Sequence, residues 1–121
     1  MQTYDKSTPS APLPRPSLSD NGHTVTLDLH GASVDEAVRL VEALIVQAAR
    51  HGRATVKIIH GTSTSESGER RTIKNAIRRH LADGDYDRHV ASSHLDEGSI
   101  LLGLAPAPRP TQRALRLSDL E

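Results

Sequence analysis

The chain contains no cysteine, no phenylalanine and no tryptophan, and only two tyrosines among its 121 residues. Without cysteine neither a disulfide framework nor a thiolate metal site can form, and nothing points to an oxidising compartment, so a cytoplasmic location is the default expectation. With so few aromatics, burial falls to Val, Ile, Leu and Ala, whose larger members contribute about 1.5–3 kcal/mol each when fully buried. The same scarcity removes the stacking platform by which many proteins hold single-stranded bases. No apolar run approaches the roughly 18 residues a bilayer span requires. The first residues also lack the charged-then-apolar pattern of a signal peptide, so no membrane partner is expected. Formal net charge is zero with neutral histidines, which argues against coating nucleic acid by bulk electrostatics.

Charge is instead sorted by position. Arg70, Arg71, Lys74, Arg78 and Arg79 follow one another without an intervening acid, and Asp83, Asp85 and Asp87 collect just beyond them. Proline is sorted too. Residues 1–22 carry Pro9, Pro12, Pro14 and Pro16 and read as a disordered arm, while residues 106–121 carry Pro106, Pro108 and Pro110 and read as a disordered tail or a short docking helix around Leu115, Leu117 and Leu120. One domain over residues 23–105 remains.

Within it, Val25, Leu27 and Leu29 alternate with Thr24, Thr26 and Asp28, the period of a strand with one buried face. Ser33 and Glu36 have capping-box spacing. From there Val34, Ala37, Val38, Val41, Leu44, Ile45 and Ala48 recur at helical steps until Gly52, a suitable left-handed C-terminal residue. Thr55–Ile59 is a β-branched run, which completes a βαβ unit with an expected right-handed crossover. A second helix is expected from about Glu69 to Asp83, with Ile73, Ala76, Ile77 and Leu81 inward. Strands are expected at about Asp87–Ala91 and Ser99–Leu104, giving a βαβαββ layer.

This topology puts two similar turns, Asp28-Leu29-His30-Gly31 and His60-Gly61-Thr62-Ser63, at the C-terminal ends of adjacent parallel strands, the edge where ligands of open α/β sheets usually bind. Asp28 and His30, two residues apart, can form a pair in which the carboxylate orients the imidazole for proton transfer or for donation to a phosphate, although hydrogen-bonded Asp and His at strand ends also serve structure alone. Gly61 permits close backbone approach, and Thr62 and Ser63 add hydroxyl donors ahead of a helix N-terminus that favours anions; composition alone allows a merely polar loop. Arg70, Arg71 and Lys74 are positioned to hold flanking phosphates, or to solvate a helix face. Asp28, His30 and His60 are usable ligands for a divalent ion, but their spacing does not demand one.

The LDLHGASVDEA run at residues 27–37, IIHGTSTS at 58–65 and DEGSILLGL at 96–104 together resemble the small MutS-related (Smr) domain in order and spacing. The resemblance implies a two-layer α/β sandwich with a mixed four-stranded sheet and two helices, similar to the C-terminal domain of bacterial translation initiation factor 3. It also implies binding of DNA or RNA and, in several members, nicking endonuclease activity, with Asp28, His30, His60 and Gly61 at the matching functional positions. Ser63 stands where the family pattern has a second glycine, and the late glycine pair is reduced to Gly98-Ser99. Two functions are therefore expected to compete: a phosphodiester-cutting enzyme with no cofactor required by the sequence, or with Mg²⁺ or Mn²⁺; and a non-catalytic nucleic-acid-binding or adaptor module.

Overall fold

The computed structural model describes residues 15–61, 72–106 and 110–121. Its elements are β1 (Ser17–Asp20), β2 (Thr24–Asp28), α1 (Val34–Arg50), β3 (Thr55–Ile59), α2 (Ile73–Ala82), β4 (Val90–Leu95), β5 (Ser99–Leu104) and a closing 3-10 turn at Leu117–Leu120. The strands form one mixed sheet in the order β1-β2-β3-β5-β4. Only β2 and β3 are parallel, with Asp28 opposite Ile59; every other neighbouring pair is antiparallel.

One face of this sheet is apolar and covered by the helices. Val25 and Leu27 of β2, Val56 and Ile58 of β3, and Ile100 and Leu102 of β5 are fully buried in a common cluster with Leu40, Val41, Leu44 and Ile45 of α1 and Ile77 of α2. Ser33 is the N-cap of α1, and its hydroxyl accepts the Glu36 N–H at 3.1 Å, the forward half of the expected capping box. The helix ends at His51 with Gly52 at φ +71°. Leu40, which the expected stripe omits, is buried, whereas Val34 and Val38 lie at the border.

Three expectations are corrected, and one alternative is decided. Residues 17–20 belong to the sheet as β1 and make it five-stranded, because Leu18 pairs with Leu27 and Asp20 with Val25. Of the two readings of the tail, docking is the one observed, with a short 3-10 turn at Leu117–Leu120 and Leu115 and Leu120 buried in the core. Both ends are fastened by one guanidinium. Arg53 donates through Nε to Asp20 at 2.8 Å and through its other nitrogens to the carbonyls of His51, Thr111 and Arg113, while Asp20 also accepts the N–H of Leu115. Neither side chain of that pair retains any exposed surface. Proline composition carries no trace of such a long-range anchor.

The second helix starts at Ile73 rather than Glu69, because Thr72 is its N-cap and accepts the Asn75 N–H at 3.1 Å. The fourth strand runs over Val90–Leu95 rather than Asp87–Ala91. Turn hydrogen bonds from Asp87 to Gly84, and from His89 and Val90 to Tyr86, keep the backbone coiled around the buried Tyr86 until Val90 meets Leu104.

Candidate nucleic-acid interface

The parallel register of β2 and β3 brings the two histidine turns together. Leu29 N–H donates to the Ile59 carbonyl at 2.9 Å, which extends the pairing one step past both strands. The chains then diverge through Gly31 at φ +83° and Gly61 at φ +82°, conformations that suit glycine because no Cβ clashes with the carbonyl. Between them opens a cleft of about 460 Å³ lined by Leu29, His30, Gly31, Ala32, His60, Gly61 and Ile73. The expected meeting of His30, His60 and Gly61 is therefore observed.

The two imidazoles sit in opposite environments. His30 is out of the inward row and its side chain is 66% exposed. Its ring Nδ1 lies 2.5 Å from Asp28 Oδ1, and the same oxygen accepts the His30 backbone N–H at 3.0 Å. A carboxylate at Nδ1 places the ring proton there and leaves Nε2 directed away from the pair. Burial works against the Asp28 carboxylate, but the two hydrogen bonds and the charge of His30 outweigh it and hold the group below the ordinary aspartate range.

His60 continues the inward row Val56, Ile58 and retains only 8% exposure. Its Nδ1 lies 2.7 Å from the Gly61 carbonyl, so Nδ1 is the donor, and its Nε2 is buried without a hydrogen-bond partner among the described residues. Burial lowers its proton affinity below the ordinary histidine value; the Gly61 bond opposes this, and the positive charges of Lys74 and Arg78 lower it further. The backbone is fixed as well. His60 N–H and Gly61 N–H both donate to the Gly98 carbonyl at 3.0 Å, so the β4–β5 turn that carries the late Asp-Glu-Gly-Ser run abuts the second histidine turn.

Of the expected contacts, Lys74 lies on α2 near enough to His60 to act on its charge. Thr62, Ser63, Arg70 and Arg71 lie outside the described residues; α2 itself begins at Ile73 after its cap at Thr72. Sequence reasoning passed over Arg78, which donates to the Asp96 carbonyl at 3.2 Å and influences His60. Its spacing of four from Lys74 on one helix was the available signal. A metal site from Asp28, His30 and His60 does not fit. His60 Nε2 is buried, and no three such side chains converge among the described residues.

A second cleft, of about 210 Å³, lies between α1 and the turn after α2. Its charged lining, Glu42 and Asp85, has the wrong sign for a phosphate. The histidine cleft, with Lys74 and Arg78 near its inner wall, has the right one.

The Smr domain family model matches residues 27–100, and the chain belongs to that family, which is associated with nucleic-acid binding and nicking endonuclease activity. Among solved structures the chain is similar to the Smr domain of Thermus thermophilus MutS2, at 26% identity and a TM-score of 0.53, with 69% of this chain and 99% of that one covered. No curated protein matches the sequence significantly. No helix among the described residues is long and apolar enough to cross a membrane.

Proposed function

We propose that the chain binds nucleic acid at the cleft between the ends of β2 and β3 and nicks its phosphodiester backbone, with His30 as the proton-transfer residue. The observation that carries this reading is the Asp28–His30 pair at the mouth of the cleft. One ring nitrogen is held by a carboxylate and the other is left outward, the arrangement that proton transfer to or from a phosphodiester oxygen requires. Asp28 fixes the ring's tautomer and balances the charge the ring carries when protonated. Lys74 supplies positive potential for the phosphate, and Gly31 and Gly61 let the substrate backbone approach the protein backbone. Thr62, Ser63, Arg70 and Arg71 are assigned to flanking phosphates on their sequence positions.

No step is routed through a metal, because the described residues of the cleft do not form a ligand set. The same observation favours a second reading, a binding module without chemistry, since a two-metal nuclease needs an acidic cluster to hold its ions. Supercoiled plasmid and single-stranded RNA, incubated with nuclease-free protein in EDTA, Mg²⁺ or Mn²⁺, separate the two. Cut product in EDTA supports histidine chemistry. Salt-sensitive binding with no product in any condition supports the module.

A further inference from the structure

We propose that His60 is the positioning residue of the cleft and takes no part in proton transfer: together with Arg78 it clamps the β4–β5 turn against the His60–Gly61 turn. The assignment rests on the nicking function proposed above. It separates two histidines that their similar turns, each His-Gly at a strand end, would otherwise give the same job.

Three observations carry it. His60 is oriented inward, at 8% exposure, and its Nε2 has no accessible surface from which to reach a phosphate. Its Nδ1 is engaged on the Gly61 carbonyl at 2.7 Å, which ties the ring to its own turn. Its backbone N–H and that of Gly61 share the Gly98 carbonyl, while Arg78 reaches the carbonyl of Asp96 two residues earlier. The turn 96–98 is therefore gripped from β3 and from α2 at once.

The polarity of the clamp is consistent. With Nδ1 protonated, Nε2 is a buried lone pair, and Arg78 Nε is a buried donor also without a partner among the described residues. The charged groups around His60 are Lys74 and Arg78 on α2, the Asp28–His30 pair at the mouth of the shared cleft, and Asp96 on the turn, whose carboxylate is paired with His94 at 3.3 Å. Burial and the two α2 cations both disfavour an imidazolium. A neutral ring tied through Nδ1 to its own turn, with Nε2 buried, keeps the His60 and Gly61 N–H groups on the Gly98 carbonyl and is poorly placed to shuttle a proton.

The test compares full-length wild type with His60→Ala, His60→Asn and Arg78→Met. Amide hydrogen exchange at His60 and Gly61, the pH titration of the His60 ring by NMR, and nicking are measured on each. A positioning role predicts that Asn, which can donate from nearly the Nδ1 position, restores nicking to within about tenfold of wild type where Ala does not, whereas loss of a proton-transfer group costs ~10²–10⁴-fold. It predicts faster exchange of the His60 and Gly61 amides in Arg78→Met. The wild-type ring should stay neutral below pH 6.5, the ordinary histidine value. Loss of nicking in a folded His60→Asn protein as deep as that of His30→Ala would overturn the assignment, as would unchanged exchange in Arg78→Met. If the wild type cuts nothing, the nicking function falls, and exchange and titration alone decide the clamp.

Discussion

Asp20 and Arg53, 33 residues apart, form an ion pair in which neither side chain keeps exposed surface, and its hydrogen bonds to Thr111, Arg113 and Leu115 tie the C-terminal segment to β1. Asp20 closes β1, and Arg53 also holds the carbonyls of Thr111 and Arg113. Removing one partner strands the other charge in the interior. Arg53→Ala should therefore cost about 3–5 kcal/mol of folding stability. Replacing both, as Asp20→Asn with Arg53→Met, should cost less than the sum of the two single changes because no uncompensated charge remains. Urea unfolding of wild type, Arg53→Ala, Asp20→Asn, Arg53→Met and the double variant checks both statements. Because the pair lies at the ends of the strands opposite the histidine cleft, the double variant should still bind nucleic acid.

Stability should also depend on pH in two separate windows. The folded-state affinity of His60 for a proton is lowered, so below its ordinary value of 6.5 the unfolded chain takes up a proton that the folded one refuses. Stability is then complete above that pH and is lost as pH falls toward the folded value. Asp20 is subject to burial, which raises its pKa, but its bonds to Arg53, Leu115 and Gly22 dominate and lower it. Its contribution is present above 3.8 and is lost as acid protonates the folded carboxylate. Denaturation curves across pH 3–8 should show the upper window disappear in His60→Asn and the lower one persist.

Asp28→Asn separates orientation from folding. The Asp28–His30 pair is 33% and 66% exposed, so its loss should change stability by under about 1 kcal/mol. An amide leaves the shape but removes the charge and the preference for a proton at Nδ1. Nicking should fall at least about tenfold with binding retained, since the affected step is proton transfer. A thermal melt and a cleavage assay on the same preparation measure the two effects.

Lys74 is assigned to phosphate binding and to no proton step. Lys74→Gln should weaken binding by a similar factor across sequences and reduce the slope of log affinity against log salt by about one. Gel shifts from low to physiological salt give the slope directly.

The residues of the site were largely legible because period-two alternation, one N-cap and one parallel crossover suffice to set Asp28, His30 and His60 at a common edge. Burial of His60 was legible in principle, as the next inward position after Val56 and Ile58. The rest depended on contacts distant in sequence. Nothing near Ser17 announces that it will pair with Asp28, nor does Arg53 announce Thr111 and Arg113. Proline disfavours helix but does not prevent an edge strand. The turn around Tyr86 displaced β4 because a buried aromatic in a run of aspartates looks, locally, like the start of a strand.

The central claim is that His30 moves the proton when a phosphodiester is cut in this cleft. It is tested most directly by comparing wild type with His30→Ala, purified identically and free of contaminating nuclease, on supercoiled plasmid and on single-stranded RNA. The account predicts nicking by wild type, loss of ~10²–10⁴-fold in His30→Ala, and nucleic-acid affinity nearly unchanged, because removal of a proton-transfer group need not remove binding. Equal cutting by the two proteins, or no cutting by wild type, would contradict it.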